Sequence, residues 1–216
     1  MEPLPVEVPA GPLLLRPWRS GDAGAVRAAL TDPATDVWSN PGRVRSTADA
    51  EVWVARRADW SSGTQATWAV VDTATGDLLG SLSLHSIDVC QGNAEVGYWA
   101  VPAARGRGLT ARAVDAACRW GFATLPVDRV ELVHAVDNPA SGRVAEKAGF
   151  TVEGRLRQSH RYGDGVKRDE LLWARLADDD VPDLARAAPP PGPGLWGPPG
   201  RTGPDSRGLD GGPTDI

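Results

Sequence analysis

Ala104–Val114 reads ARGRGLTARAV: two glycines and three arginines pass directly into helical spacing. A helix N-terminus leaves backbone N–H groups unpaired and carries partial positive charge. Glycines let a backbone approach an anion closely, and arginines add charge. Arg105, Gly106, Arg107 and Gly108 therefore read as a cradle for phosphate or pyrophosphate, with Leu109 and Thr110 opening the helix. The same residues would also serve as a plain glycine turn capping a helix. GRGLTA fits the dinucleotide fingerprint G-x-G-x-x-A as well, and Asp137 ends the next strand as a ribose-binding acid does. That fingerprint opens a first βαβ unit with its glycines tight against the strand. Here an antiparallel meander comes first, and Pro102-Ala103-Ala104-Arg105 intervenes. There is no P-loop lysine, which argues against a nucleoside triphosphate. No G-x-S-x-G occurs, and no His, Cys, Asp or Glu spacing suits a metal ion.

The elements around the loop follow from pattern. GPLLLRPW predicts a short strand, and Ser20 caps a helix over about 22–30. Pro33 breaks it, and a loop with Trp38 and Asn40 is expected next. Ser46 or Thr47 starts a second helix running to about Trp60. TWAVVD, LLGSLSLHS and AEVGYWAV predict a three-stranded meander that Pro102 ends. A helix follows over about 108–123, with Leu109, Ala113, Ala117, Trp120 and Gly121 at helical spacing. RVELVHAV predicts a strand buried on both faces. Asn138-Pro139 opens a short helix ending at Gly149. FTVEGRLRQSHRY and KRDELLWARL form a hairpin around GDG. His85 alternates with Leu82 and Leu84 and belongs on the polar face of its strand. His134 reads as a packed core residue. Trp68, Trp99, Trp120 and Trp173 fall in regular elements and read as core.

The 216 residues suit one domain with a tail. The domain is expected over 1–177. From 178 to 216 proline and glycine dominate, and such a segment is expected to be disordered. Seven of the 28 acidic and three of the 23 basic residues lie there, so most of the net charge of −5 belongs to the tail. Trp196 is a candidate anchor within it. A near-neutral domain argues against nucleic acid as a partner. Two cysteines, Cys90 and Cys118, make no disulfide framework. MEPLPVEVPAG has no signal-peptide pattern, and no apolar run approaches about 18 residues. A cytoplasmic chain with no membrane partner, monomer or homodimer, is expected.

EVGYWAVPAARGRGLTARAV, HAVDNPASGRVAEKAGF and LLLRPWRSGDAGAV together resemble the GNAT acyltransferases, in particular their RimJ/RimL-type branch, over about residues 12–176. The resemblance implies an α+β fold: a mixed, mostly antiparallel sheet splayed in the middle and flanked by about four helices. It implies acetyl-CoA as cosubstrate and no metal. The family loop R-x-x-G-x-[GA] grips the pyrophosphate, and Arg105 and Gly108 match it. Thr110 stands where Gly or Ala is usual. By the same resemblance Trp99, Ala100 and Val101 end the strand whose backbone pairs with pantetheine. Asn138 and Ser141 match N-x-x-S, where the Asn contacts the cofactor arm and the Ser lies near its sulfur. Ser141 is thus the candidate proton donor to the departing thiolate, and a helix-cap hydroxyl otherwise. Relatives carry a glutamate after G-x-L-x-Q on the hairpin; GRLRQSH places His160 there, making it the first candidate base. Its neighbours Arg157 and Arg161 would favour the neutral ring. Glu95, where many relatives have an acid, is the second. Trp38 and Tyr162 fall where the family walls its acceptor pocket. The implied reaction acetylates a primary amine, a protein N-terminal α-amine or a small molecule, by direct attack. An antibiotic-modifying acetyltransferase is an alternative. So is a non-catalytic acyl-CoA sensor, which the Thr110 and His160 departures would suit.

Overall fold

The computed structural model describes residues 4–39, 44–181, 183, 184 and 186. Within these residues eight strands form one sheet: β1 (Val8–Ala10), β2 (Leu13–Arg16), β3 (Ala66–Asp72), β4 (Leu78–Asp88), β5 (Asn93–Ala100), β6 (Arg129–Ala135), β7 (Thr151–Arg161) and β8 (Lys167–Leu176). Their order is β1-β2-β3-β4-β5-β6-β8-β7, and among the described residues only the β5–β6 pair is parallel. Among the described residues five α-helices flank it: α1 (Ala23–Leu30), α2 (Pro33–Ser39), α3 (Thr47–Ala58), α4 (Leu109–Thr124) and α5 (Pro139–Lys147). This is the expected α+β architecture.

The two sheet faces have different tenants. On one, α4 lies over β1, β2, β4 and β5 and packs beside α5, burying Leu13, Leu15, Trp68, Leu82, Leu84 and Val96. On the other, α1 and α3 cover Ala69 and Val71. Beyond β3 this face meets α2 at β5, and Trp99 packs against the edge of the α1/α3 cluster. There the strand alternation presents Ser81, Ser83 and His85 of β4, beside Trp99, Gly97 and Glu95 of β5 in that register. Polar residues face out of the core here because this face becomes the wall of a cleft.

Several expectations change. Ser20 does not cap α1: it lies in a short 3-10 turn, and Asp22 is the N-cap. Pro33 does not end helical structure; it begins α2. Proline suits the first turn of a helix, and Asp32 caps it by accepting from the Thr35 N–H at 3.0 Å. β1 has no counterpart among the expected strands; it holds Pro9, which an edge strand tolerates. β6 is not buried on both faces: Val130, Leu132 and His134 are buried, while Arg129, Glu131 and Val133 are only partly so. Trp68 and Trp173 are core, but Trp99 and Trp120 stay partly exposed.

Contacts with the domain also continue past residue 177. Asp115, fully buried on α4, accepts from Arg175 Nη1 at 2.8 Å, Arg119 Nε at 3.0 Å and the backbone N–H of Leu184 at 2.8 Å. Arg119 donates to the Val181 carbonyl at 2.6 Å, and the Val181 side chain occupies the space above Gly149. A chain ending at residue 177 strips one donor from a buried carboxylate, a loss of about 1–3 kcal/mol. Its Tm should fall by several degrees, at roughly 2–4 °C per kcal/mol for this size. A chain ending at residue 186 keeps these contacts and is the control; equal melting of the two would contradict the contact's role. The rest of the expected disordered tail, Trp196 included, lies outside the described residues, as does Asn40.

Candidate functional site

The glycine loop leads from β5 into α4. Gly106 and Gly108 have φ of +75° and +74°, a region strained for other residues, and Gly108 is the N-cap of α4. A Cβ at either position would meet no atom within 4 Å, so the space beside this backbone is open to a ligand. Arg107 is exposed, and Leu109 and Thr110 are half-buried at the first turn. Arg105 turns elsewhere: it donates to the Ala100 carbonyl at 3.1 Å, to Asp32 Oδ2 at 2.6 Å and to Thr35 Oγ1 at 2.9 Å. The guanidinium holds the Asp32 carboxyl below the usual carboxylate range. Arg105 therefore ties the loop to the start of α2, which walls the cleft on the opposite sheet face.

β5 and β6 then part. They pair only at Asn93–Arg129, Ala94–Val130 and Glu95–Glu131. Beyond Glu95, β6 continues against β8, and the β5 edge from Val96 to Ala100 has no partner from β6. The expected splay is thus present, and it begins at Glu95. Ser141, on the first turn of α5, lies at this gap. Its hydroxyl and the Tyr98 hydroxyl share a hydrogen bond of 2.6 Å. Burial pushes the Tyr98 phenol up to about 12, so it stays protonated at neutral pH. Asn138 caps α5: its side chain accepts from the Ser141 N–H at 3.3 Å. His134 is core, as expected. Its Nδ1 bonds the Ala135 carbonyl at 2.7 Å and its Nε2 accepts from Trp173 at 3.0 Å, a network that assigns the neutral tautomer.

On the α2/α3 side of the gap lies a cleft of about 530 Å³. Ser81, Ser83, His85, Glu95, Gly97 and Trp99 floor it. Gly97 keeps the floor low: a Cβ would crowd Ser83 Oγ and His85 Nε2 at 3.3 Å. The rim is aromatic. Trp38 meets Tyr162 edge-on at 5.6 Å, His160 meets Tyr162 at 4.9 Å, and Arg168 covers the Trp38 ring at 5.3 Å. Gly163 donates to the Val37 carbonyl at 2.9 Å, seating α2 on the β7–β8 turn. Tyr162 and Ser159 each donate to buried Glu170 at 2.7 Å, one to each carboxylate oxygen.

Glu95, Trp99, Asn138, Ser141, His160, Trp38 and Tyr162, each expected at a site, all line this one cleft. Ala100, Leu109 and Thr110 line a smaller crevice next to it, and Val101, Arg105 and the glycines lie further along the same path. The cleft also takes in residues that local pattern does not mark as a site, Tyr98, Arg57 and Glu170 among them. Tyr98 stands beside Trp99 in VGYWA, where strand spacing alone gives it no role. Arg57 is one of two adjacent helix arginines. Glu170 was visible as an acid inside the apolar run DELLW, the mark of a carboxylate that needs buried partners. Among the described residues no group of three His, Cys, Asp or Glu side chains is placed to hold a metal, and no helix is long and apolar enough to cross a membrane.

The model of the acetyltransferase (GNAT) domain matches residues 12–151. The ribosomal-protein-serine acetyltransferase of Escherichia coli (strain K12) is 32% identical over 102 residues, 47% of this chain and 56% of that protein. The spermidine N(1)-acetyltransferase of Vibrio cholerae is 30% identical over 110 residues, 49% and 63% of the two chains. The chain spans 55% to 63% of the length of five of its curated relatives. Mycobacterium smegmatis RimJ in complex with CoA-disulfide superposes with a TM-score of 0.72 at 26% identity, covering 84% of this chain and 90% of that one. With a sheet parted at the end of β5, a glycine turn opening α4 and a domain match over most of the described residues, this chain belongs to the GNAT acetyltransferase family.

Proposed function

We propose that the chain transfers an acetyl group from acetyl-CoA to a primary amine by direct attack, in the cytoplasm. The observation that carries this is the parting of β5 and β6 at Glu95, with the glycine loop along one approach and the polar cleft on the other. The residues present fit the cosubstrate: open backbone at Gly106 and Gly108, helix N–H groups of Leu109 and Thr110, and an unpaired β5 edge at Trp99–Ala100. Val101 and Asn138 complete the path. Acetyl-CoA supplies the activated acyl group and a thiol leaving group.

The chain's own residues hold and move the protons. Glu95 lies where the strands part and takes the proton from the attacking amine, directly or through water. His160, at the rim, is the alternative base. Ser141 donates to the departing sulfur, and Tyr98 donates to Ser141. An α-amine with a pKa of roughly 8 is partly neutral already, so a weak base suffices. Trp38 and Tyr162 wall the acceptor side. A protein N-terminus or a small-molecule amine are the acceptors in view.

Thiol release from acetyl-CoA, measured against peptides, polyamines and aminoglycosides with product masses, tests this. The expected result is release with one acetyl group gained by an amine. Acetyl-CoA binding with no release across the panel would leave a sensor instead.

The cradle has its own test. Gly108→Asp puts a negative charge beside the helix N-terminus and should weaken acetyl-CoA binding at least tenfold, about 1.4 kcal/mol. Gly108→Asn has the same size and backbone strain without the charge and should lose less. Calorimetric affinities equal to the parent's would remove the pyrophosphate from this loop.

A further inference from the structure

Arg57 and His85 line both the cleft and a side pocket of about 420 Å³ that continues from it past α3. Arg57 packs over the Trp53 ring at 4.9 Å, and among the described residues its guanidinium makes no ion pair. Desolvation lowers its pKa, the mark of a cation short of water and of an anion. His85 Nδ1 is buried without a hydrogen-bond partner. The carboxylate of Glu95, the direct cross-strand neighbour of His85, likewise makes no ion pair or hydrogen bond among the described residues. Opposed partners of this kind have Cβ atoms about 5 Å apart. The acids and bases around Arg57 in the side pocket are Arg56 and Asp59, and Asp59 already accepts from Ser61 N–H at 2.9 Å. One cleft thus holds an unpaired carboxylate, a histidine and an unpaired guanidinium, the last two shared with the side pocket.

We propose that the Arg57–His85 end of the cleft is an anion subsite, so that the acceptor is an amine carrying a carboxylate. This rests on the transferase reading, with the amine at Glu95 and the carboxylate at Arg57. An unpaired charge in a partly dehydrated cleft is costly, and a ligand of opposite charge removes that cost. A polyamine would instead set a second cation against Arg57, and the subsite selects against it.

Two acceptor pairs that differ only in the anion test this by calorimetry: Ser-Glu-Ala amide against Ser-Gln-Ala amide, and glycine against glycinamide. The protein should bind the acidic member of one pair roughly tenfold tighter or more. The peptide pair or the amino-acid pair showing it tells which source carries the carboxylate. Arg57→Met keeps the packing on Trp53 and should abolish the preference with acetyl-CoA affinity unchanged; Arg57→Lys should restore part of it. Equal binding within both pairs, or a preference that survives Arg57→Met, overturns the subsite. A preference that follows Arg57 while no acceptor is acetylated leaves the subsite standing and removes the transferase reading.

Discussion

Ser141→Ala lowers kcat by roughly 10²-fold, the lower end for a proton-transfer group, while acetyl-CoA affinity stays within about twofold of the parent. The departing thiol has a pKa of roughly 8.5, so the sulfur gains from a donor only as its bond to carbon breaks. An interaction made only then moves kcat and leaves binding alone. The helix itself should survive, because the Asn138 cap accepts from the backbone N–H of residue 141, which alanine keeps. Tyr98→Phe removes the second hydroxyl of the 2.6 Å pair but leaves the serine its own proton, so its loss should be smaller. Single-turnover rates at saturating acetyl-CoA check both variants. A Ser141→Ala enzyme with the parental chemical rate would make Ser141 a helix-cap residue only.

Glu95→Gln should lower kcat/KM by about 10² to 10³ near pH 7. The deficit should shrink as pH rises, because more of the amine is then neutral without help. For an α-amine, recovery should be largely complete about one unit above roughly pH 8; for a lysine-like amine, near roughly 10.4, it needs far more alkaline solution. His160→Ala should cost much less, since His160 is exposed on the rim against Tyr162 and Glu95 lies where the strands separate. The pH–rate profiles of the two variants side by side decide. A crippled His160→Ala enzyme beside a normal Glu95→Gln enzyme would move the base to the hairpin.

Much of this site is legible from local pattern. The glycine turn into α4, the Asn138 cap of α5 and the alternation that turns Ser81, Ser83 and His85 to one face are properties of short stretches. What escapes depends on distant partners. Nothing near Arg105 in sequence announces Asp32 and Thr35, so its tie to α2 needs the fold. Pro33 is a breaker or a helix start according to whether the residue before it caps, and Asp32 does. Val181 and Leu184 sit in a stretch whose composition suggests no packing, yet a buried aspartate and an open glycine await them. Arg57 is one more solvated helix charge until the fold brings it to the cleft that His85 and Glu95 line.

Backbone hydrogen exchange with and without acetyl-CoA tests the location of donor binding most directly. Slower exchange is expected at Trp99–Val101, along Gly106–Ala111 and at Ser141, with β1 and the β7 edge unchanged. Protection confined to other segments, or none at these amides at saturating acetyl-CoA, would contradict donor binding in the gap between β5 and β6.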